Sequence, residues 1–188
     1  EVVVRTPLRM SPNTIDTFLR AKEAWILRKL EEFRVARSVV PALEDPGHIH
    51  HRGEVVMPDR HGRSTRQAGV YIDMWERREA HTVFGAFIDE MLPRLDVWAL
   101  RYGSFSVRKM RRRWGSCRVD GKITLNQFLV RTPDQCIRSV IAHELAHLVH
   151  MNHGREFHDL VRVLYPEYDA ASELLDGWTI VLQTSLPG

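Results

Sequence analysis

A chain of 188 residues with 44% apolar content has the length of one compact domain, or of a domain with a short appendage. Its 27 Lys and Arg against 24 Asp and Glu leave a net charge of +3, which permits nucleic-acid binding without indicating it. Two cysteines, Cys117 and Cys136, are too few for a disulfide-rich scaffold or a thiolate zinc cluster, and with no apolar run of roughly 20 residues and no signal peptide a cytoplasmic chain without a membrane span is expected.

The opening "EVVVRTP" reads as the end of a strand stopped by Pro7, after which Ser11 and Pro12 offer an N-cap and a first helical position. The helix that follows gathers Ile15, Phe18, Leu19, Ile26, Leu30 and Phe33 on one face, which predicts packing by that side on a core. From about residue 40 to residue 69 apolar residues thin out, and Pro, Gly, His and Arg accumulate. That stretch is predicted to be a long loop with one short strand around residues 54–57, its His48, His50, His51 and His61 solvated. A second helix runs from about residue 73 to near residue 103. Ala80, Phe84, Phe87, Ile88, Met91 and Leu95 lie on its apolar face, and Pro93 must kink or restart it. The period then shortens to two at Phe105 and Val107, and again at Ile123 and Leu125. Asp120-Gly121 is a two-residue turn signal, so "RRRWGSCRVDGKITLN" is predicted to be a β-hairpin. Thr132, Pro133 and Gln135 have the pattern of a capped helix start, and Ile137, Val140, Ile141, Leu145 and Leu148 continue a largely buried helix.

On that helix stands "HELAHLVHMNHG", residues 143–154. Residues four apart lie one turn above each other, so His143 and His147 can reach one ion at the roughly 2.1 Å of a zinc–nitrogen bond. Glu144 projects beside such an ion, placed to take a proton from a water that the metal acidifies. A catalytic zinc needs a third protein ligand and an open fourth position. His150 lies roughly 10.5 Å along the axis from His143 if the helix continues, too far to share the site. His153 can return to it if the chain turns after Met151, and Asn152 and Gly154 are residue types that accept the left-handed conformation such a turn uses. Glu156 remains the alternative third ligand. The basic run "RKMRRR", residues 108–113, either grips phosphate or is a solvated strand face.

In this order, "RRRWGSC", "GKITLN", Pro133, "VIAHELAHLVHMNHGREF" and "YPEY" resemble the YgjP-like metallopeptidase family, and more distantly SprT-type zinc proteases. The resemblance covers about residues 71–178, while residues 41–70 match poorly. "EVVVRTP" and the first helix resemble the family's N-terminal region. It implies an α+β fold: a zincin-like core with a small antiparallel sheet packed on an active-site helix, plus an N-terminal helix. The corresponding division is an N-terminal region at 1–70, a metallohydrolase core at 71–178 and a tail at 179–188. It also implies Zn2+ held by His143, His147 and His153. Two departures are expected: His158 occupies a position where the family usually has Trp, and the further N-terminal strand pair usual in the family is not recognised in these residues.

Three functions follow as expectations. The first is a zinc peptidase acting on a peptide or protein, with Glu144 as general base. An extended substrate would add to the edge of the hairpin, where Arg113, Trp114, Ser116 and Asn126 either line the cleft or serve hairpin packing and turn satisfaction. The second keeps the metal for pyrophosphate release from a nucleoside triphosphate such as UTP, an activity some relatives are described with, using the basic run. The third is a basic nucleic-acid-binding domain with structural zinc, against which Glu144 argues, since a structural site has no use for a base.

Overall fold

The computed structural model describes residues 4, 6–7, 9–43, 48–58, 65–98 and 102–185. In chain order the elements are α1 (Pro12–Val39), β1 (Ile49–His51), β2 (Glu54–Val56), α2 (Thr65–Met91), a 3-10 segment (Leu92–Trp98), β3 (Ser104–Arg108), β4 (Gly115–Cys117), β5 (Lys122–Asn126), a second 3-10 segment (Gln127–Arg131), α3 (Asp134–Ala146), α4 (Arg155–Leu164) and α5 (Tyr168–Ser185). The fold is α+β with the N-terminal helix present, as expected. The strand expected over "EVVVRTP" falls largely outside the described residues, as does His61.

The core is assembled around α3. Ile137, Ile141 and Leu145 of that helix are at most 1% exposed, and they are joined by Phe84 and Ile88 of α2, Leu125 of β5, Val161 of α4 and Trp178 of α5. A helix clothed on several sides must be apolar nearly all round, and from Ser139 to Ala146 every residue of α3 but His143 is buried. α1 behaves differently from its periodicity. Ser11 Oγ accepts from the Thr14 N–H at 3.2 Å and caps the helix as predicted, but Phe18 and Leu30 are exposed and Ala36 is the one buried residue in it. Contact comes at its far end, where Ala36 and Val39 approach Gly177 of α5; a Cβ on Gly177 would stand 3.4 Å from Val39 Cγ2. α2 is already helical at Thr65, ahead of the predicted start, and gives way to 3-10 winding after Met91, one residue before Pro93 removes a backbone donor.

The predicted hairpin forms, with a longer turn than expected. β4 and β5 pair antiparallel, and the Gly121 N–H bonds to the Arg118 carbonyl at 2.9 Å with Gly121 at φ +78°. This is a three-residue loop whose last member is left-handed, so glycine serves there as the bulge residue rather than as half of a two-residue turn. β3 then adds to the other side of β5 in parallel, giving a mixed sheet in the order β3-β5-β4.

The expected loop contains a second, two-stranded sheet. β1 and β2 form an antiparallel hairpin turned by Arg52 and Gly53 at φ 51° and 86°, the pair of positive values a type I′ turn uses. His50 and His51 are therefore not solvated. His50 is 5% exposed, edge-on to Trp178 with ring centroids 5.0 Å apart, and its Nε2–H donates to the Pro41 carbonyl at 2.7 Å. His51 lies against Trp75. The hairpin also braces the start of α3, through the Arg52 N–H to the Val130 carbonyl and the Arg52 guanidinium on Asp134. The expected boundaries at 70/71 and 178/179 fall inside α2 and α5. Among the described residues no helix is long and apolar enough to cross a membrane, and Cys117 and Cys136 form no disulfide.

Candidate metal centre

α3 delivers His143 and Glu144 from its last turn and His147 from its C-cap. The helix start differs from its predicted cap. Pro133 holds the N-cap position with no side-chain bond, while Thr132 turns its hydroxyl to the Leu129 carbonyl at 2.9 Å and closes the preceding 3-10 turn. Its C-terminus tightens into i→i+3 bonds, Leu148 N–H to Leu145 O and Val149 N–H to Ala146 O, which satisfies carbonyls that would otherwise be left open. The chain then reverses without a left-handed residue: among the described residues Arg52 is the only non-glycine with positive φ, and Gly154 is extended at φ −76°. The Gly154 N–H closes the turn on the Asn152 carbonyl at 2.9 Å. His153 is thereby returned to the helix end.

One nitrogen from each of His143, His147 and His153 lies within 4.8 Å of those of the other two, so the triad can hold a metal ion. Among the described residues it is the only group of three or more His, Cys, Asp and Glu side chains that close together. The Nε2 atoms of His143 and His153 are 3.1 Å apart, near the roughly 3.4 Å separating two nitrogens that share a tetrahedral zinc. The His147 Nδ1 lies 3.0 Å from the His150 carbonyl. A carbonyl only accepts, so that nitrogen carries the proton and Nε2 keeps its lone pair. Phe157 of α4, fully buried, lies with its ring centroid 4.6–4.9 Å from those of all three histidines. Burial, then the neighbouring imidazoles, push His143 down to about 4, and burial also lowers His147 against the pull of the His150 carbonyl. Both rings stay neutral at pH 7, the state that ligates.

Glu144 is 5% exposed and faces β4. A Cβ on Gly115 would stand 2.5 Å from its Oε1 and 2.6 Å from its Cγ, so no side chain fits at 115 with Glu144 where it is. Burial raises the carboxyl to about 7, against the attraction of Arg113, and Oε2 has no hydrogen-bond partner. A pocket of about 240 Å³ opens here, walled by Trp114, Gly115, Val140, His143, Glu144 and Tyr168.

The remaining candidates divide. Trp114 lines the pocket and donates its indole N–H to Thr179 at 2.8 Å. Arg113 is exposed but acts on Glu144 electrostatically. Ser116 sits in β4 opposite Thr124, away from the pocket wall. Asn126 is buried, its amide donating to the carbonyls of Met110 and Arg113 and accepting from the N–H groups of Met110 and Phe128. It fixes the 110–113 loop, which matches the turn-satisfaction alternative. The basic run leaves the strand after Arg108, and Lys109 is paired with Asp73. His150 acts through its carbonyl; its ring stands 3.9 Å from Glu156. Sequence reasoning missed Gly115, Phe157 and Tyr168 as site residues. A glycine inside a strand signals a close backbone approach and could have revealed the first.

Fold and site together define an α+β scaffold whose central helix ends in a histidine triad able to hold a divalent ion beside a buried carboxylate. The family described as YgjP-like, metallopeptidase domain, matches residues 43–177, and the chain belongs to it. Membership implies a hydrolase that uses a divalent metal. The match starts well ahead of residue 71, so the β1–β2 hairpin and all of α2 belong to the family's domain. No curated protein matches the chain.

Proposed function

We propose that the chain is a zinc-dependent peptidase in which His143, His147 and His153 are the ligands and Glu144 is the general base. The observation that carries the reading is the buried, unpartnered Oε2 of Glu144 next to a triad with a 3.1 Å nitrogen–nitrogen approach. A carboxylate left without a donor in so dry a place is costly unless a proton-bearing group arrives during function. Three imidazole donors suit zinc, and zinc bound there supplies a Lewis acid that polarises the scissile carbonyl and acidifies water. Glu144 then accepts the water's proton at Oε2 and returns it to the departing amine nitrogen. Trp114, Val140 and Leu175 in the adjoining pocket offer an apolar wall to a substrate side chain.

Pyrophosphate release from nucleoside triphosphates competes for the same metal, but that chemistry favours magnesium on carboxylates, and among the described residues no carboxylate joins the triad. Zinc uptake and hydrolysis of a fluorogenic peptide library test the proposal in Glu144→Gln. The amide keeps the shape and cannot accept a proton, so zinc content should hold while turnover falls by about 10²–10⁴. Hydrolysis at the wild-type rate would remove Glu144 from the mechanism.

A further inference from the structure

The two rings that α3 offers to the centre are held in unlike ways. His147 is pinned by a main-chain carbonyl, that of His150, which no side-chain substitution removes. The Nδ1 of His143 meets instead the Tyr168 hydroxyl at 3.1 Å, 25 residues along the chain. Tyr168 arrives there because α4 ends at its C-cap, Tyr165, and Pro166 prevents it from continuing; the Tyr168 N–H bonds back to the Tyr165 carbonyl at 3.1 Å and α5 begins. Its ring lies nearly parallel to that of His143, with an interplanar angle of 22°. One turn further on, Ser172 joins Tyr168 in the pocket wall.

We propose that Tyr168 is a positioning residue for the metal centre, its phenol oxygen taking the Nδ1–H of His143 so that the Nε2 lone pair faces His147 and His153. The inference rests on the triad being the metal site. A phenol oxygen accepts hydrogen bonds, so it can take the Nδ1–H of His143 at the observed 3.1 Å. A partner on the outer nitrogen fixes the tautomer and ring angle of a ligating histidine, and losing one weakens metal binding by about 10- to 100-fold. Gly115 and Phe157 shape the surroundings by contact alone; Tyr168 supplies a directional bond.

Tyr168→Phe removes the hydroxyl and leaves the ring that walls the pocket. Zinc affinity of the full chain would be measured by competition with a chromophoric chelator, alongside the visible spectrum of the cobalt(II) form. The expected result is affinity about 10- to 100-fold weaker with a shifted cobalt spectrum. Wild-type affinity and an unchanged spectrum in Tyr168→Phe would overturn the assignment, as would a loss of metal-free stability with affinity intact. A wild-type protein that takes up neither metal would defeat the triad reading itself, a failure distinct from that of Tyr168 alone.

Discussion

Gly115 has no side chain, and that decides where Glu144 can lie. With ideal placement its Cβ would overlap the carboxylate at 2.5–2.8 Å, and in the proposed mechanism that carboxylate must keep its place for proton transfer. Gly115→Ala should therefore retain zinc, because the histidines are untouched, and lower turnover at least about tenfold by displacing the base. Metal analysis with kcat on the same sample checks it, and unchanged turnover would show that Glu144 has slack. The 143–147 spacing was legible in the sequence because residues four apart on a helix share a face whatever surrounds them. Asn126 was not. Its neighbour in space is the backbone of residues 110–113, and no periodicity reports which loop an amide will meet.

At the scale of elements, the segment least legible was the β1–β2 hairpin. β2 falls where a short strand was expected, but β1 and the pairing did not show: the turn uses Arg52 and Gly53, where Asn-Gly is the familiar signal, and three-residue strands are too short to display alternation. Arg52 bears a positive φ while its guanidinium is tied to Asp134 and its N–H to Val130. Gly53 is required twice over, by φ +86° and by Pro133 Cγ, 2.8 Å from where a Cβ would stand. Gly53→Ala should thus lose about 2 kcal/mol, whereas Gly69→Ala, in α2 with nothing within 4 Å, should gain about 0.5–1 kcal/mol. Urea unfolding of the two variants is the check; a Gly53→Ala protein as stable as wild type would mean that the hairpin does not brace α3. The parallel pairing of β3 with β5 was equally hidden, since alternation states which face a residue takes and not which neighbour or direction its strand chooses.

Over the whole molecule, that hairpin ties acid stability to a residue far from the metal centre in sequence. Burial lowers the His50 pKa, the Pro41 carbonyl opposes this, and Arg131 adds to the lowering. Below about 6.5 the unfolded chain takes up a proton that folded His50 resists. Its contribution to stability is thus intact above that pH and is lost as pH falls toward the lower folded value. The urea midpoint of wild type should drop between pH 7.5 and 5.5, and drop less in His50→Gln; equal drops would assign the acid sensitivity elsewhere. What the sequence by itself determined is local: a buried helix bearing His143, Glu144 and His147, a capped α1, a glycine turn between β4 and β5, and a family signature. Helical period, capping and turn chemistry act within a few residues, so they can be read in one dimension. Only the tertiary structure decided that Gly115 presses on Glu144, that Tyr168 meets His143 across 25 residues, and that His50 is buried on Trp178. Those contacts arise when separate elements pack against α3, and packing depends on shape and distance in space, quantities that no spacing along the chain contains.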